Sequence, residues 1–150
     1  MWKTKLEEIK NLNSRFGERI NDGATDEDIK ILLENIEDRD IKEALEPYLS
    51  FLKVVNGLEF NGYILYGIDS NLLSYTTKQQ INGIIDNNEV WNDLEWETKY
   101  LFLGDSSMSW YVYDVEAGKY FELDKPSGDV MENYDSLDAM LTKVLEDALM

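Results

Sequence analysis

Three short aromatic-rich segments, separated by connectors of a few residues, constrain the fold of this chain more than any other feature. They are KYLFLG (99–104), SWYVYD (109–114) and KYFEL (119–123). Each is rich in the aromatic and β-branched residues that favour strands. The connectors GDSSM and VEAGK are of loop length, so the three segments predict an antiparallel meander.

Segments with helical periodicity flank these strands. The first predicted helix carries an apolar stripe of Trp2, Leu6, Ile9, Phe16 and Ile20. The second carries Ile29, Leu32, Leu33 and Ile36, with Thr25 as its N-cap. The last carries Leu137, Met140, Leu141, Val144, Leu145 and Ala148, with Asp135 or Ser136 as its cap. A weak helix is expected between Ile81 and Trp91.

Pro47 lies inside a further helical run from Ile41 to Val55. Within a helix a proline loses one hydrogen bond and clashes with the preceding turn, at a cost of about 3 kcal/mol. The pattern therefore predicts a new helix with Pro47 in its first turn, ending at Asn56-Gly57. The segment 56–62 then reads as a helix stop and a turn into a strand at 63–67, and DKPSGD (124–129) as a further turn. Together these elements predict one α+β domain over residues 1–150, with helices packed on a mainly antiparallel sheet.

The chain contains no cysteine and no histidine. Disulfides, thiolate catalysis, histidine-based zinc sites and Ser-His-Asp chemistry are therefore excluded within it. Any catalysis would depend on carboxylates, lysine, tyrosine or a bound ion. We expect no catalytic residues, no resident metal and no cofactor.

The net charge of −17 restricts the partners that this chain can attract. Such a field repels phosphate backbones and anionic lipids, so neither nucleic acid nor a membrane is expected to bind. No apolar run approaches the length of a membrane span and the first residues lack an apolar signal core, which predicts a cytoplasmic protein. The acidic surface serves either solubility or the attraction of a basic partner.

The cluster GDSSMS (104–109) has two interpretations. Its carboxylate and hydroxyl oxygens are ligands that a hard cation accepts, but the central glycine and terminal glutamate of a calcium loop are missing. Asp and Ser also favour tight turns. The turn is the stronger interpretation, and Asp105 is kept as a docking residue.

Aromatic residues supply the other docking candidates. Trp91 and Trp96 lie among acidic and amide residues, where they could line a groove or cover the core. In SWYVYD the side chains alternate, so Trp110 points to one face and Tyr111 and Tyr113 to the other. The two tyrosines either pack across strands or offer a contact surface. The predicted docking face is therefore Trp91, Trp96, Asp105, Tyr111 and Tyr113.

The segment YLSFLKVVNGLEFNGYILYG (48–67) resembles the signature of the SUKH superfamily, the Smi/Knr type. In that signature a helix with Tyr-x-x-Phe-Leu leads to Asn-Gly and then to a strand ending in glycine. The matching positions are Tyr48, Phe51, Leu52, Asn56, Gly57 and Gly67. FLGDSSMSWYVYD and YDSLDAMLTKVL look like the family's second block and closing helix. The opening MWKTKLEEIKNLN and the segment INGIIDNNEVW are similar to the YrhA-like branch, so the resemblance spans nearly the whole chain.

One position departs from the family pattern. The superfamily usually has Leu-Pro three or four residues before the tyrosine, whereas Ala44-Leu45 stand there in this chain and Pro47 directly precedes Tyr48. The entry to that helix is therefore expected to differ.

The resemblance implies a curved, mainly antiparallel sheet with helices around it and no settled catalytic residues. It also implies a function, because many superfamily members are immunity proteins that bind and neutralise a bacterial polymorphic toxin, often a nuclease or deaminase. The prediction is a non-catalytic immunity protein with a toxin domain, basic in charge, as its partner. The alternatives are a general protein-interaction scaffold and a small-ligand binder that uses Trp91, Trp96 and Trp110. The oligomeric state stays open.

Overall fold

The computed structural model describes residues 1–150 and contains five α-helices beside one six-stranded antiparallel sheet. The helices are α1 (Trp2–Arg15), α2 (Asp26–Glu34), α3 (Arg39–Leu52), α4 (Ile84–Asn92) and α5 (Leu137–Leu149), with a short 3₁₀ turn at Ser70–Leu72. The strands are β1 (Leu58–Phe60), β2 (Tyr63–Leu65), β3 (Tyr100–Asp105), β4 (Ser109–Asp114), β5 (Lys119–Asp124) and β6 (Val130–Tyr134). The sheet is open and curved with helices packed on it, which confirms the predicted α+β class.

The sheet is a meander in which the strands follow one another in chain order, β1 to β6. Strands β3, β4 and β5 form the predicted central meander. Strands β1 and β6 were not predicted. The three residues of β1 are too few to show an alternation of apolar and polar side chains, so the sequence did not predict this strand. Asn61 (φ 50°) and Gly62 (φ 83°) form the two-residue turn that joins β1 to β2. Strand β6 lies at the edge and is mostly exposed, so its sequence shows no apolar period.

Helix α1 is shorter than its apolar stripe suggested. The helix ends at Arg15, and the Phe16 side chain is 80% exposed, so the prediction of one stripe through Phe16 and Ile20 was wrong. Gly17 is the reason: its φ of 74° allows a C-terminal motif in which Glu18 N–H donates to the Asn13 carbonyl at 2.9 Å. This is the glycine-dependent helix stop.

Helix α2 begins where the sequence predicted it. Thr25 and Asp28 form a reciprocal capping box, in which Asp28 N–H donates to Thr25 Oγ1 (3.1 Å) and Thr25 N–H to Asp28 Oδ2 (2.9 Å). Helix α5 likewise begins at a predicted cap, since Ser136 Oγ accepts from Ala139 N–H at 3.1 Å. Both starts are local features, which is why sequence alone located them.

Helix α3 runs through Pro47 without a break, so the prediction of a new helix at Pro47 was wrong. Pro47 and Glu43 both lie on the exposed side, where water can reach the Glu43 carbonyl that lacks its usual donor. The opposite side buries Leu45, Tyr48 and Leu52 almost completely. Burial of three large side chains outweighs a cost of about 3 kcal/mol. The helix ends at Leu52, four residues before the predicted stop.

A single cluster of 31 buried hydrophobic residues forms the core. Helix α5 packs against β5 and β6 and also against α1, whereas α4 and α3 pack against β3. None of the helices combines the length and the apolar character that crossing a membrane requires.

Candidate docking surface

The five predicted docking residues do not form one face. Trp91, Trp96 and Asp105 lie on the side of the sheet that Trp110 also faces, whereas Tyr111 and Tyr113 point to the other side. Tyr111 is 1% exposed, so its side chain belongs to the core and not to a surface. Tyr113 packs on its cross-strand neighbour Tyr120 with ring centroids 4.7 Å apart, which is the cross-strand packing offered as one interpretation.

The tryptophans pack on one another. The Trp110 ring meets Trp91 edge-on at 5.4 Å between centroids and Trp96 at 5.2 Å, and Phe102 lies beneath all three. Such T-shaped pairs add about 1 kcal/mol each beyond their burial. Trp91 and Trp96 therefore cover the core, as the second interpretation of these residues had it, and each keeps a partly exposed edge.

Lys125 closes this aromatic cluster from the β5–β6 turn. Its ammonium lies 5.2 Å from the Trp91 ring centroid and 5.6 Å from that of Trp110, within cation–π range. The same ammonium forms an ion pair with Asp105 Oδ1 at 3.2 Å and donates to the Ser106 carbonyl at 2.9 Å. Asp105 is thus a partner of Lys125 at the end of β3, and GDSSM is a strand turn, in line with the stronger interpretation.

A chain of hydrogen bonds continues from Asp105 into the core. Tyr66 Oη donates to Asp105 Oδ2, and Trp91 Nε1 donates to Tyr66 Oη at 2.9 Å. Burial and the neighbouring carboxylate of Asp105 raise the pKa of Tyr66, so the phenol stays protonated and remains a donor. Asp105, Tyr66 and Trp91 each have a partner in this series of hydrogen bonds, whereas the buried Trp110 Nε1 has none. The series joins the end of β3 to the tryptophan cluster and serves a structural role.

Two sets of hydrogen bonds hold α4 in place beside β3. The Asn88 side chain accepts from Phe102 N–H (2.7 Å) and donates to the Phe102 carbonyl (2.9 Å), so it takes the place of a strand along the part of β3 that the short β2 does not reach. At the helix start, the buried Asp69 carboxylate accepts from Ile85 N–H and Asp86 N–H, both at 2.9 Å. Asp69 is an N-cap supplied from a distant loop.

Asp28 and Asp69 should give opposite pH dependences of stability. Burial raises the pKa of Asp69 above 3.8. Burial acts the same way on Asp28, but hydrogen bonds from Tyr75 and Thr25 outweigh it and lower the pKa below 3.8. A carboxyl group whose pKa is raised by folding stabilises the folded state at low pH, and this contribution is lost as pH rises through the pKa of the folded state. A carboxyl group whose pKa is lowered by folding stabilises the folded state at higher pH, and this contribution is lost as pH falls through the pKa of the folded state.

We expect the stability advantage of wild type over Asp28→Asn to grow between about pH 3 and pH 7, and its advantage over Asp69→Asn to shrink. Urea unfolding of the three proteins across this range measures both differences. Slopes of equal sign would contradict the assignment of these two environments.

Three adjoining depressions form an acidic surface beside the tryptophan cluster. One depression, of about 420 Å³, lies between the α2–α3 loop and α4, and a second, of about 440 Å³, lies between α3 and the end of β4. A third, of about 350 Å³, connects them beside Trp96. We call this the acidic surface. Its carboxylates are Glu37, Asp38, Asp40, Glu43, Glu89, Glu95, Glu97 and Glu116, and its one lining cation is Lys99.

The charge of Lys99 is already used within the protein. Its ammonium binds Asp38 Oδ2 at 2.8 Å and Asp40 Oδ2 at 3.6 Å. The hydrogen bond from Lys99 lowers the pKa of Asp38, which also caps α3 through Asp40 N–H and Ile41 N–H. Glu43 pairs with Arg39 at 3.4 Å. The remaining carboxylates form no ion pair and leave the surface strongly negative.

The acidic surface has an apolar floor and one strained residue at its rim. The floor of the first depression consists of Ile36, Ile41, Leu45, Ile84, Ile85 and Leu101. Glu95 has a φ of 56°, in the left-handed region that costs a non-glycine residue about 1 kcal/mol. Strain of this kind tends to concentrate at functional sites.

Two of the residues that the sequence singled out lie at this surface. Trp96 and Tyr113, two of the predicted docking residues, line it on either side of Lys99 and Glu116. Its carboxylates come from four separate chain segments, so only the overall acidity signalled them. Lys125 and Tyr66 were missed because a lysine in a turn and a tyrosine in a strand carry no local signal of a shared ion-pair network.

Comparisons of the chain with models of protein families, with curated proteins and with solved structures found no match. The fold and surface define an α+β domain with a negatively charged, partly apolar face. The resemblance to the SUKH superfamily stays a prediction from the sequence motifs.

Proposed function

We propose that this chain is a non-catalytic binding protein whose acidic surface receives a basic protein domain, and that this domain is a toxin of a bacterial polymorphic-toxin system. The observation that carries the proposal is the combination of an apolar floor with a rim of eight carboxylates, five of which form no ion pair. Protein interfaces share this anatomy, with an apolar centre and a polar rim.

The charges favour a protein partner of opposite sign. A negative field over an extended surface raises the association rate of a basic partner and repels acidic competitors. Nuclease toxins hold phosphate groups and are basic there, so an acidic surface is complementary to them. The helices and β3 hold the rim in place before binding, which lowers the entropy lost on association.

The immunity role follows from the motifs that resemble the SUKH superfamily. In this chain Tyr48, Asn56 and Gly67 build the core and the joint between α3 and β2, so the motif supports the scaffold that presents the acidic surface. The tryptophans favour no separate ligand function, because their rings already contact one another and Lys125.

Growth rescue tests the immunity role. A toxin domain encoded beside this chain is expressed with and without it, and survivors are counted. We expect survival only when this chain is present, with a stoichiometric complex on gel filtration. A complex that forms without rescue would support the scaffold alternative and overturn the immunity proposal.

Charge reversal at the acidic surface should slow binding. Glu89→Lys/Glu97→Lys is expected to lower the association rate for the toxin domain at least about tenfold and to weaken its dependence on salt. Surface plasmon resonance at several salt concentrations measures both effects.

The matched control is Glu18→Lys/Glu146→Lys, which makes the same charge change at exposed positions outside the acidic surface. If both double variants slow binding equally, net charge and not this surface steers the partner.

A further inference from the structure

Strand β6 leaves an open edge on the sheet. It pairs only with β5, it is the last strand in the sheet order, and its five residues carry neither lysine nor proline. Lysine and proline are common protections of exposed edges, and β6 has in their place only the bulge at Met131 and the charge of Glu132. The backbone groups on the outer side of β6 are therefore available to a further strand.

The side chains of β6 present a different chemistry on each face. Val130 pairs with Leu123 on one face and is 53% exposed, and Met131, at the bulge, is 59% exposed. Glu132 pairs with Glu122 on the other face. Like charges directly opposite each other destabilise a strand pair, so a positive neighbour beside Glu132 would be favourable.

The Glu132 carboxylate of β6 forms no ion pair within the protein. Lys143 on α5 is the nearby cation, and its ammonium is bound to Asp147 Oδ1 at 2.8 Å. Burial and then the carboxylates of Glu122 and Glu132 raise the pKa of Tyr134, the next residue along this face. The Glu122 carboxylate, by contrast, accepts from Ser109 Oγ at 2.8 Å and from Tyr134 Oη at 3.5 Å, so Glu132 is the carboxylate left without a partner.

We propose that β6 binds an extended basic segment of another protein, which adds a seventh strand to the sheet. Alternate lysine or arginine side chains of that segment lie beside Glu132, and its intervening apolar side chains lie beside Val130. Backbone hydrogen bonds supply affinity and the alternating faces supply specificity, as in other cases of strand addition. A second copy of this chain fits less well, since each copy has a net charge of −17 and would place carboxylates against carboxylates. This proposal goes beyond the acidic surface, because it concerns a different edge of the molecule.

The test uses synthetic peptides of alternating lysine and valine with the full chain. Binding is measured by fluorescence anisotropy of a labelled peptide. Two further peptides carry N-methyl groups on one or the other set of alternate amides, because an added strand directs only one set toward β6. We expect one methylated peptide to lose at least about tenfold in affinity and the other to bind nearly as the parent does.

Variants of the chain locate the site. Glu132→Lys should lower affinity for the parent peptide at least about tenfold, while Glu18→Lys, the same charge change in the loop after α1, should leave it within about twofold. Equal binding of the two methylated peptides, equal loss in the two variants, or no binding at all would overturn the proposal. The proposal would also be overturned, in favour of a second copy as the partner, if the chain binds no peptide but self-associates and Glu132→Lys changes that self-association. None of these outcomes bears on rescue from a toxin through the acidic surface.

Discussion

Replacing Lys125 with methionine is expected to lower the free energy of unfolding by about 3 kcal/mol. Methionine has an unbranched apolar side chain of similar length but removes the ammonium that lies near the Trp91 and Trp110 rings. Asp105, whose side chain is 11% exposed, would then carry its charge without the cation that lies 3.2 Å away. A charge left buried without its partner costs more than the pair contributes. Urea unfolding followed by circular dichroism measures the loss.

The double variant Lys125→Met/Asp105→Asn provides the control. An asparagine at position 105 still accepts the hydrogen bond from Tyr66 and needs no counter-ion. We expect the double variant to recover most of the lost stability, so that the two substitutions are coupled by at least about 1 kcal/mol. Asp105→Asn is also measured alone, in the wild-type background. If it lowers the free energy of unfolding by the same amount in the Lys125→Met background, the two residues act independently and the network interpretation is wrong.

This network explains why Asp105 is a weak docking candidate although it stood out in the sequence. A carboxylate beside two serines after a strand is the local sign of a turn or a ligand loop, and both interpretations use exposed oxygens. In the structure both oxygens are engaged, one by Tyr66 and one by Lys125. These partners lie 39 and 20 residues away in the chain, beyond any local pattern.

The parts of the fold that sequence located are those with local causes. The capping box at Thr25, the cap at Ser136 and the strand pairs of the central meander each depend on residues close together in the chain. The errors came from competition between local and tertiary terms. At Pro47 the local penalty predicted a break, but burial of the opposite helix side kept α3 whole.

The acidic surface shows a different limit. The excess of carboxylates between residues 21 and 50 is evident from the sequence, and four of them line the surface, namely Glu37, Asp38, Asp40 and Glu43. The contributions of Glu89, Glu97 and Glu116 depend on how α4 and the ends of β3 and β4 meet α3. That arrangement follows from packing, which composition does not encode.

Asn56, Gly57 and Gly67 of the SUKH-like motif form a close-packed joint between the end of α3 and the end of β2. The Asn56 side-chain oxygen Oδ1 accepts from Ile68 N–H at 2.8 Å, and the backbone carbonyl of Asn56 accepts from Asn21 Nδ2 at 2.9 Å. A Cβ atom on Gly67 would lie 2.7 Å from the Asn56 carbonyl oxygen. Gly57 therefore allows the chain after α3 to pass against Gly67 with no space for a side chain.

Alanine at Gly57 is accordingly expected to destabilise the protein by about 3 kcal/mol, which combines the strain of a left-handed backbone with a steric clash. Gly57 and Gly62 share a φ of 83°, but a Cβ on Gly57 would lie 2.8 Å from Ile81 and 2.9 Å from Gly67, while one on Gly62 meets nothing within 4 Å. Gly62→Ala should therefore cost only the backbone strain, about 1 kcal/mol. Urea unfolding gives the loss of unfolding free energy in each variant, provided that the dependence on urea concentration is unchanged. The difference between the two losses is the steric part of the cost at Gly57. Equal costs at the two positions would show that the joint yields to a methyl group, and the motif would then need another explanation.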